Sequence, residues 1–221
     1  MTLASRAEVH AALGDQRRLH IADHLALGDH TVAELAELTG MSGNLLAHHL
    51  DVLETAGLIE RQTSEGDHRR RYVLLRRDRL PSGLHSVELA NGDLLFVCTH
   101  NSARSQFAAA LWKDRTGRAT ESAGSHPSAE VHPKAVSVAA EFGIDISRAK
   151  PTGYDQITTN PALVVSVCDR AREGGIPSGT QHLHWSVSDP VTVGTMAAFR
   201  SAFSKIAGRV DHLAATTDRR P

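Results

Sequence analysis

The chain is 221 residues long, enough for one large domain or two modest ones. Hydrophobic residues make up 41% and charged residues 22%, a soluble mix that can fill two small cores, and a net charge of −1 singles out no partner by bulk electrostatics. No apolar run reaches the ~18–20 residues that cross a bilayer. Met1-Thr-Leu-Ala-Ser-Arg also lacks the charged start and apolar core of a secretory signal, so a cytoplasmic protein without membrane partners is expected. The two cysteines, Cys98 and Cys168, are too few for a thiolate zinc site and are not expected to form a structural disulfide in a reducing compartment. Each is therefore weighed as a reactive group.

The first elements read as helices. Leu13, Leu19, Ile21, Ala22 and Leu25 recur at helical spacing until Gly28-Asp29 breaks the pattern. Thr31 with Glu34 forms a capping box for a helix over Val32–Thr39, which Gly40 stops. Ser42 is placed to cap a second helix from Gly43 to Ala56, with Leu46, Leu50 and Leu53 inward and Gly57 as its stop. Two strands follow, Leu58–Thr63 and Arg70–Leu75, joined by the turn residues Ser64-Glu-Gly-Asp67.

Helix, tight turn, helix and charged hairpin together make the plan of a winged helix-turn-helix. Its second helix presents Ser42, Asn44, Ala47, His48 and also His49 to a major groove, where Asn can pair with adenine and Ala can meet a thymine methyl. Seven of the ten arginines in residues 1–80 lie between 61 and 79, so Arg69, Arg70 and Arg71 suit a wing touching phosphates or the minor groove. A solvated hairpin on a helical dimerisation module is the alternative for the same residues.

This segment resembles the ArsR-type winged-helix repressors, through Ala11-Leu-Gly-Asp-Gln-Arg-Arg-Leu, Thr31-Val-Ala-Glu-Leu-Ala, His48-His-Leu-Asp-Val-Leu-Glu-Thr-Ala-Gly-Leu-Ile and the Arg-Arg-Arg-Tyr strand. The resemblance implies a homodimer on operator DNA with a short inverted repeat. Residues 1–93 hold no cysteine, which excludes thiol sensing of arsenite there.

Pro81, Gly83 and Asn91-Gly92 mark a break, giving domains at 1–80 and 94–221 with a linker at 81–93. Asp93–Cys98 then reads as a buried strand and Ser102 onward as a helix, so Cys98 sits at a strand's carboxyl end, where open α/β sheets bind ligands. In Cys98-Thr99-His100-Asn101-Ser102-Ala103-Arg104, successive N–H groups and a helix N-terminus make a nest for a tetrahedral oxyanion. Arg104 adds a planar fork for two of its oxygens. The same field favours a Cys98 thiolate below the ~8.5 of a free thiol. Ser105 is placed to donate to that sulfur, and Asn101 to brace the loop's own backbone and tolerate a left-handed conformation.

From Leu95-Phe-Val-Cys-Thr-His-Asn-Ser-Ala-Arg-Ser-Gln-Phe-Ala108, Glu121-Ser-Ala-Gly-Ser125, His132-Pro133 and Trp185-Ser-Val-Ser-Asp-Pro190, this half resembles the low-molecular-weight tyrosine phosphatase fold and the arsenate reductases built on it. The resemblance implies an α/β domain with a four-stranded parallel sheet, Cys98 as nucleophile, Arg104 as oxyanion binder and Asp189 as general acid. An exposed turn-forming Asp before Pro190 is the alternative for Asp189.

Phosphatase and reductase chemistry both start with thiolate attack on an oxyanion such as arsenate or phosphate. Val191-Thr192 follow the Asp-Pro pair and aromatics are 4% of the chain, so a phosphotyrosine groove is not evident. Cys168 follows the apolar run Leu163–Val167 and is the candidate second thiol of a reductase, or else a small buried hydrophobe. The stretch Asp169–Gly175 holds no third thiol, leaving a Cys98–Cys168 disulfide reduced from outside or attack by an external thiol. No cofactor and no metal are expected; His182 and His184 alternate on a strand, but no third ligand is evident for them. The composite reading is a DNA-binding regulator fused to a thiol-dependent arsenate reductase. Its alternatives are an oxyanion-sensing transcription factor without turnover and a tyrosine phosphatase.

Overall fold

The structure is a computed structural model that describes residues 2–80, 92–179 and 181–217. Residues 81–91 of the expected linker, with Pro81, Gly83 and Asn91, lie outside the described residues, as do 218–221. The chain divides into two compact units, and no described helix is long and apolar enough to cross a membrane.

The N-terminal unit is built from α1 (Leu3–Leu13), α2 (Gln16–Leu25), β1 (His30–Thr31), α3 (Val32–Thr39), α4 (Gly43–Thr55), β2 (Ile59–Thr63) and β3 (Arg71–Leu75). Its strands form one antiparallel sheet in the order β1-β3-β2. Local chemistry sets the helix ends. Asp15 caps α2 by accepting from the N–H groups of Arg17 and Arg18 at 2.9 and 3.1 Å. At α3 the capping box is complete: Glu34 N–H donates to Thr31 Oγ1 at 3.2 Å, and Thr31 N–H donates to Glu34 Oε2 at 2.7 Å. Gly40 takes a left-handed φ of 67° at its end. Ser42 precedes α4, but its side chain makes no capping hydrogen bond. Leu46, Leu50 and Leu53 are buried with Ile21, Leu25 and Leu35, whereas Leu19 of the same apolar series is exposed.

The C-terminal unit has β4 (Leu94–Cys98), α5 (Arg104–Thr116), β5 (Glu121–Gly124), α6 (Pro133–Glu141), β6 (Leu163–Ser166), α7 (Asp169–Gly174), β7 (Gln181–His184), α8 (Pro190–Val193) and α9 (Met196–Thr217). All four strands are parallel, in the order β5-β4-β6-β7. Every residue of β4 is buried, which explains its uninterrupted apolar run. Phe107 of α5 meets Phe203 of α9 edge-on, with ring centroids 5.1 Å apart. The chain leaves β4 toward β5 on one side and later returns through β6 on the other. The carboxyl ends of β4 and β6 therefore flank the point where strand order reverses, the position at which such sheets bind ligands.

His49 is buried in the N-terminal unit rather than presented to a groove: it shares the face of α4 that carries the buried Leu46, Leu50 and Leu53, whereas His48 is exposed. Neither ring nitrogen has a hydrogen-bond partner, and Asp15 Oδ1 is 3.9 Å away. Burial, opposed by Asp15 and aided by Arg18, lowers the His49 pKa from 6.5. The folded form thus binds fewer protons than the unfolded one below about pH 6.5, and stability falls as pH drops through that range. Replacing His49 with Leu is expected to raise stability by ~1–3 kcal/mol at neutral pH by removing orphaned polar atoms. Urea unfolding of wild type and variant at pH 7.5 and 5.5 should show a smaller acid loss in the variant.

Candidate functional site

The loop after β4 is held by its neighbours from three sides. Its carbonyl groups accept from the N–H groups of His126 (to Thr99, 2.8 Å), Ser128 (to His100, 3.0 Å) and His132 (to Ser102, 2.9 Å). Asn101, fully buried, adopts φ 49°, a left-handed conformation that Asn tolerates better than most residues. Its side chain does not bond its own loop's backbone. Nδ2 donates to Ser105 Oγ (2.7 Å) and Ser122 Oγ (2.9 Å), while Oδ1 accepts from the Thr152 N–H and from Gln106 Nε2, each at 2.9 Å. All four hydrogen-bonding positions of the amide are thereby used.

Gly124, in register with Cys98 on β5, lets this loop approach. A Cβ there would lie 2.7 Å from the Thr99 carbonyl oxygen and 2.9 Å from the Asn101 nitrogen. The backbone at this point requires glycine for space rather than for a left-handed φ.

At the floor of the loop, Cys98 Sγ accepts from the Asn101 N–H at 3.2 Å and lies 3.0 Å from Ser105 Oγ. Because Ser105 Oγ already accepts from Asn101 Nδ2, its own proton is available to the sulfur. The helix begins at Arg104, two residues later than Ser102, since Ala103 at φ −148° and ψ −78° is not helical. Thr99 and His100 line the loop half-buried, while Ser102 and Ala103 are buried.

Arg104 is only 4% exposed. Its Nη1 donates to the Val187 carbonyl at 2.8 Å, and Nη2 pairs with Asp189 Oδ2 at 3.1 Å. Burial opposes its charge, but the sulfurs of Cys168 and Cys98 and the Asp189 carboxylate outweigh this and raise its pKa. Asp189 is not an exposed turn residue: it is buried and also caps α8 by accepting from the Val191 N–H at 3.1 Å.

Cys168 ends up on the same side of the sheet. It is buried and caps α7 by accepting from the Ala171 N–H at 3.4 Å, with Thr99 Oγ1 also 3.4 Å from its sulfur. Both thiols are free. Burial pushes the Cys168 thiol up; Arg104 opposes this and the Cys98 sulfur reinforces it. Next to it, Asp169 and His184 are both buried and paired at 3.1 Å, and His184 Nδ1 is 2.9 Å from Ser166 Oγ. Burial alone would raise Asp169, but hydrogen bonds from His184 and Ser186 hold it below the ordinary carboxylate range. His182, by contrast, is exposed, and among the described residues no group of three His, Cys, Asp or Glu is arranged to hold a metal ion.

Tyr154 was not legible from the sequence. It lies in a 3-10 turn, Tyr154–Gln156, and packs on Leu95, Val97, Ala123 and Val164. Burial, then the sulfurs of Cys168 and Cys98, push its phenol above the ordinary tyrosine range against a weaker pull from Ser125. No spacing links it to the loop; the parallel bridge between Gly124 and Gly153 and the Thr152 N–H bond to Asn101 bring its turn there.

In the N-terminal unit, Ser42, Asn44, Ala47 and His48 are exposed, as are Arg69, Arg70 and Arg71. Those three arginines line a cleft of about 560 Å³ together with the first turn of α3. Two others of the 61–79 run are structural. Arg61 is tied to Asp51 (2.6 Å) and Glu54 (3.4 Å) of α4, and Arg77 donates to the carbonyls of Leu25 and Ala26.

Comparison with known proteins agrees with this geometry. Residues 16–70 match the MarR family, a winged-helix group. An arsenate reductase of Halalkalibacterium halodurans is 35% identical over 133 residues, covering 56% of this chain and 95% of that protein. One of Brevibacillus brevis is 37% identical over 102 residues, 44% of this chain and 75% of that protein. The crystal structure of an arsenate reductase from Archaeoglobus fulgidus superposes with a TM-score of 0.50 and 27% identity, over 56% of this chain and 99% of that one. The loop, sheet order and buried Arg104 thus lie within a match to low molecular weight phosphotyrosine protein phosphatase over residues 93–220, and the chain belongs to that family.

Proposed function

We propose that residues 1–80 form an ArsR-type DNA-binding unit, joined through 81–93 to a thiol-dependent arsenate reductase at 94–221, in a cytoplasmic homodimer on operator DNA. The observation that carries the enzymatic reading is the convergence of Cys98, Cys168 and Asp189 on the buried Arg104. Arg104 and the loop N–H groups bind the oxyanion; Thr99, His100, Asn101, Ser102, Ala103 and Ser105 shape that cradle. Cys98 attacks arsenic, forming an S–As bond, while Asp189 protonates the oxygen that leaves as water. The Cys168 sulfur then attacks Cys98. An S–S bond forms, the S–As bond breaks with its electron pair left on arsenic, and arsenite departs with the Cys168 proton. The two thiols supply the two electrons, and an external thiol or redox protein restores them; no other cofactor is needed. Keeping Cys168 as a thiol until the adduct forms agrees with the upward push of burial on it.

Tyr154 favours a second reading, hydrolysis of an aryl phosphate, because it brings one aromatic side chain within electrostatic reach of both thiols. A third, oxyanion sensing without turnover, uses the same binding groups.

Arsenite release from arsenate with an added thiol donor separates these readings. Wild type should release arsenite, and Cys98→Ser should still bind arsenate yet release none. Hydrolysis of aryl phosphate without arsenite would establish the phosphatase, and binding with neither product the sensor.

A single turnover without reductant should leave the intact chain about 2 Da lighter, as an internal disulfide requires, and Cys168→Ser should abolish that loss. A donor-thiol adduct on Cys98 instead would assign the second step to the external thiol.

On promoter DNA, Arg70→Ala should weaken binding across sequences and reduce the log-affinity versus log-salt slope by about one. Asn44→Ala should relax preference at a single base position, at a cost of ~1–3 kcal/mol. Wild-type binding that is insensitive to salt would overturn the DNA-binding reading.

A further inference from the structure

Helix α2 turns Ile21, Ala22 and Leu25 into the core of the N-terminal unit. On another face it carries His20, exposed, and His24, half-buried, one turn apart. Their rings do not stack: the centroids are 4.6 Å apart at an interplanar angle of 73°, which turns the two Nε2 atoms toward each other at 3.3 Å.

That separation has a chemical meaning. Two neutral imidazoles meeting nitrogen to nitrogen make one hydrogen bond, and only when one ring bears its proton on Nε2. A tetrahedral ion with metal–nitrogen bonds of ~2.0–2.1 Å holds two nitrogens about 3.3 Å apart, so the pair already has the bite of a chelate. A second observation points the same way. Between the two histidines in sequence, Asp23 has a carboxylate oxygen, Oδ1, that is buried without a hydrogen-bond partner. A buried, unsatisfied anionic oxygen is costly, and a neighbouring cation would relieve that cost.

We propose that His20 and His24 chelate a divalent transition-metal ion on α2, with the Asp23 carboxylate favouring the cation nearby. Imidazole ligands select zinc, copper and nickel over magnesium or calcium. Among the described residues no third His, Cys, Asp or Glu completes a ligand set made only of protein, so water fills the remaining positions and the ion exchanges readily. The site lies in the N-terminal unit, does not draw on the Cys98 loop, and stands independently of the proposed reductase activity.

The test titrates Cu²⁺, Ni²⁺ and Zn²⁺ into the full chain carrying Cys98→Ser and Cys168→Ser, so that thiolates do not compete, against a chromophoric chelator. One ion per chain should bind ahead of the other histidines, copper most tightly. His20→Gln and His24→Gln should each weaken that ion at least about tenfold, while His10→Gln on the exposed face of α1 leaves it unchanged. Far-UV circular dichroism of each variant reports whether the helices persist. Electron paramagnetic resonance of the Cu²⁺ form provides a readout that needs no α2 variant: the first equivalent should show coupling to two imidazole nitrogens. Affinity unchanged in the His20→Gln/His24→Gln double variant, or a first equivalent with fewer than two nitrogen ligands, would overturn the site.

Discussion

A guanidinium that is 4% exposed has surrendered most of its hydration, and an uncompensated charge in that position would cost several kcal/mol. Arg104 recovers part of this from the Val187 carbonyl and the Asp189 carboxylate, and the sulfurs of Cys168 and Cys98 favour its charge further. Such a centre favours negative charge nearby: a thiolate, a carboxylate or a bound oxyanion. The chemistry of the C-terminal unit follows from this one requirement. It also explains why arginine suits position 104, since a compact ammonium would not reach a carbonyl and a carboxylate in one plane.

Holding that charge in register with Cys98 falls to neutral groups. Asn101 spends its whole amide on four partners drawn from α5, β5 and the Thr152 turn, so the loop cannot relax without breaking bonds to several elements at once. Gly124 contributes by having no side chain. Cys168 arrives from a different strand, but β6 is the direct neighbour of β4, so the second thiol also emerges at the carboxyl edge. The buried Asp169–His184 pair anchors the first residue of α7 beside it.

The N-terminal unit divides its charges differently. Arg61 and Arg77 close the hairpin and the α2 end onto neighbouring elements, whereas Arg69, Arg70 and Arg71 stay exposed beside α3. A dense arginine run therefore has two jobs, and counting charges in the sequence does not separate them. His48 and His49 make the same point on α4: adjacent in sequence and about 100° apart around the helix, one is exposed and one buried.

What depends on local order was legible in the residues alone. Periodicity located α3 and α4, and capping also located α3, because Thr31, Glu34 and Gly40 act within a few residues of one another. Strand, turn and helix around Cys98 were likewise legible, since the nest needs only consecutive N–H groups and the Arg104 side chain six residues on. Tertiary structure alone decided the interactions that close over long separations. Spacing alone left a surface turn open as the alternative to a general acid at Asp189, and only the fold places Arg104 against it. Asn101 reads as a brace for its own loop until Ser122 and Thr152 are brought to it. Tyr154 had no sequence signal at all, and His49 reached the interior only once α4 packed on its neighbours. Burial and side-chain pairing are properties of which surfaces meet, and spacing along a chain encodes that only for residues on the same turn or strand.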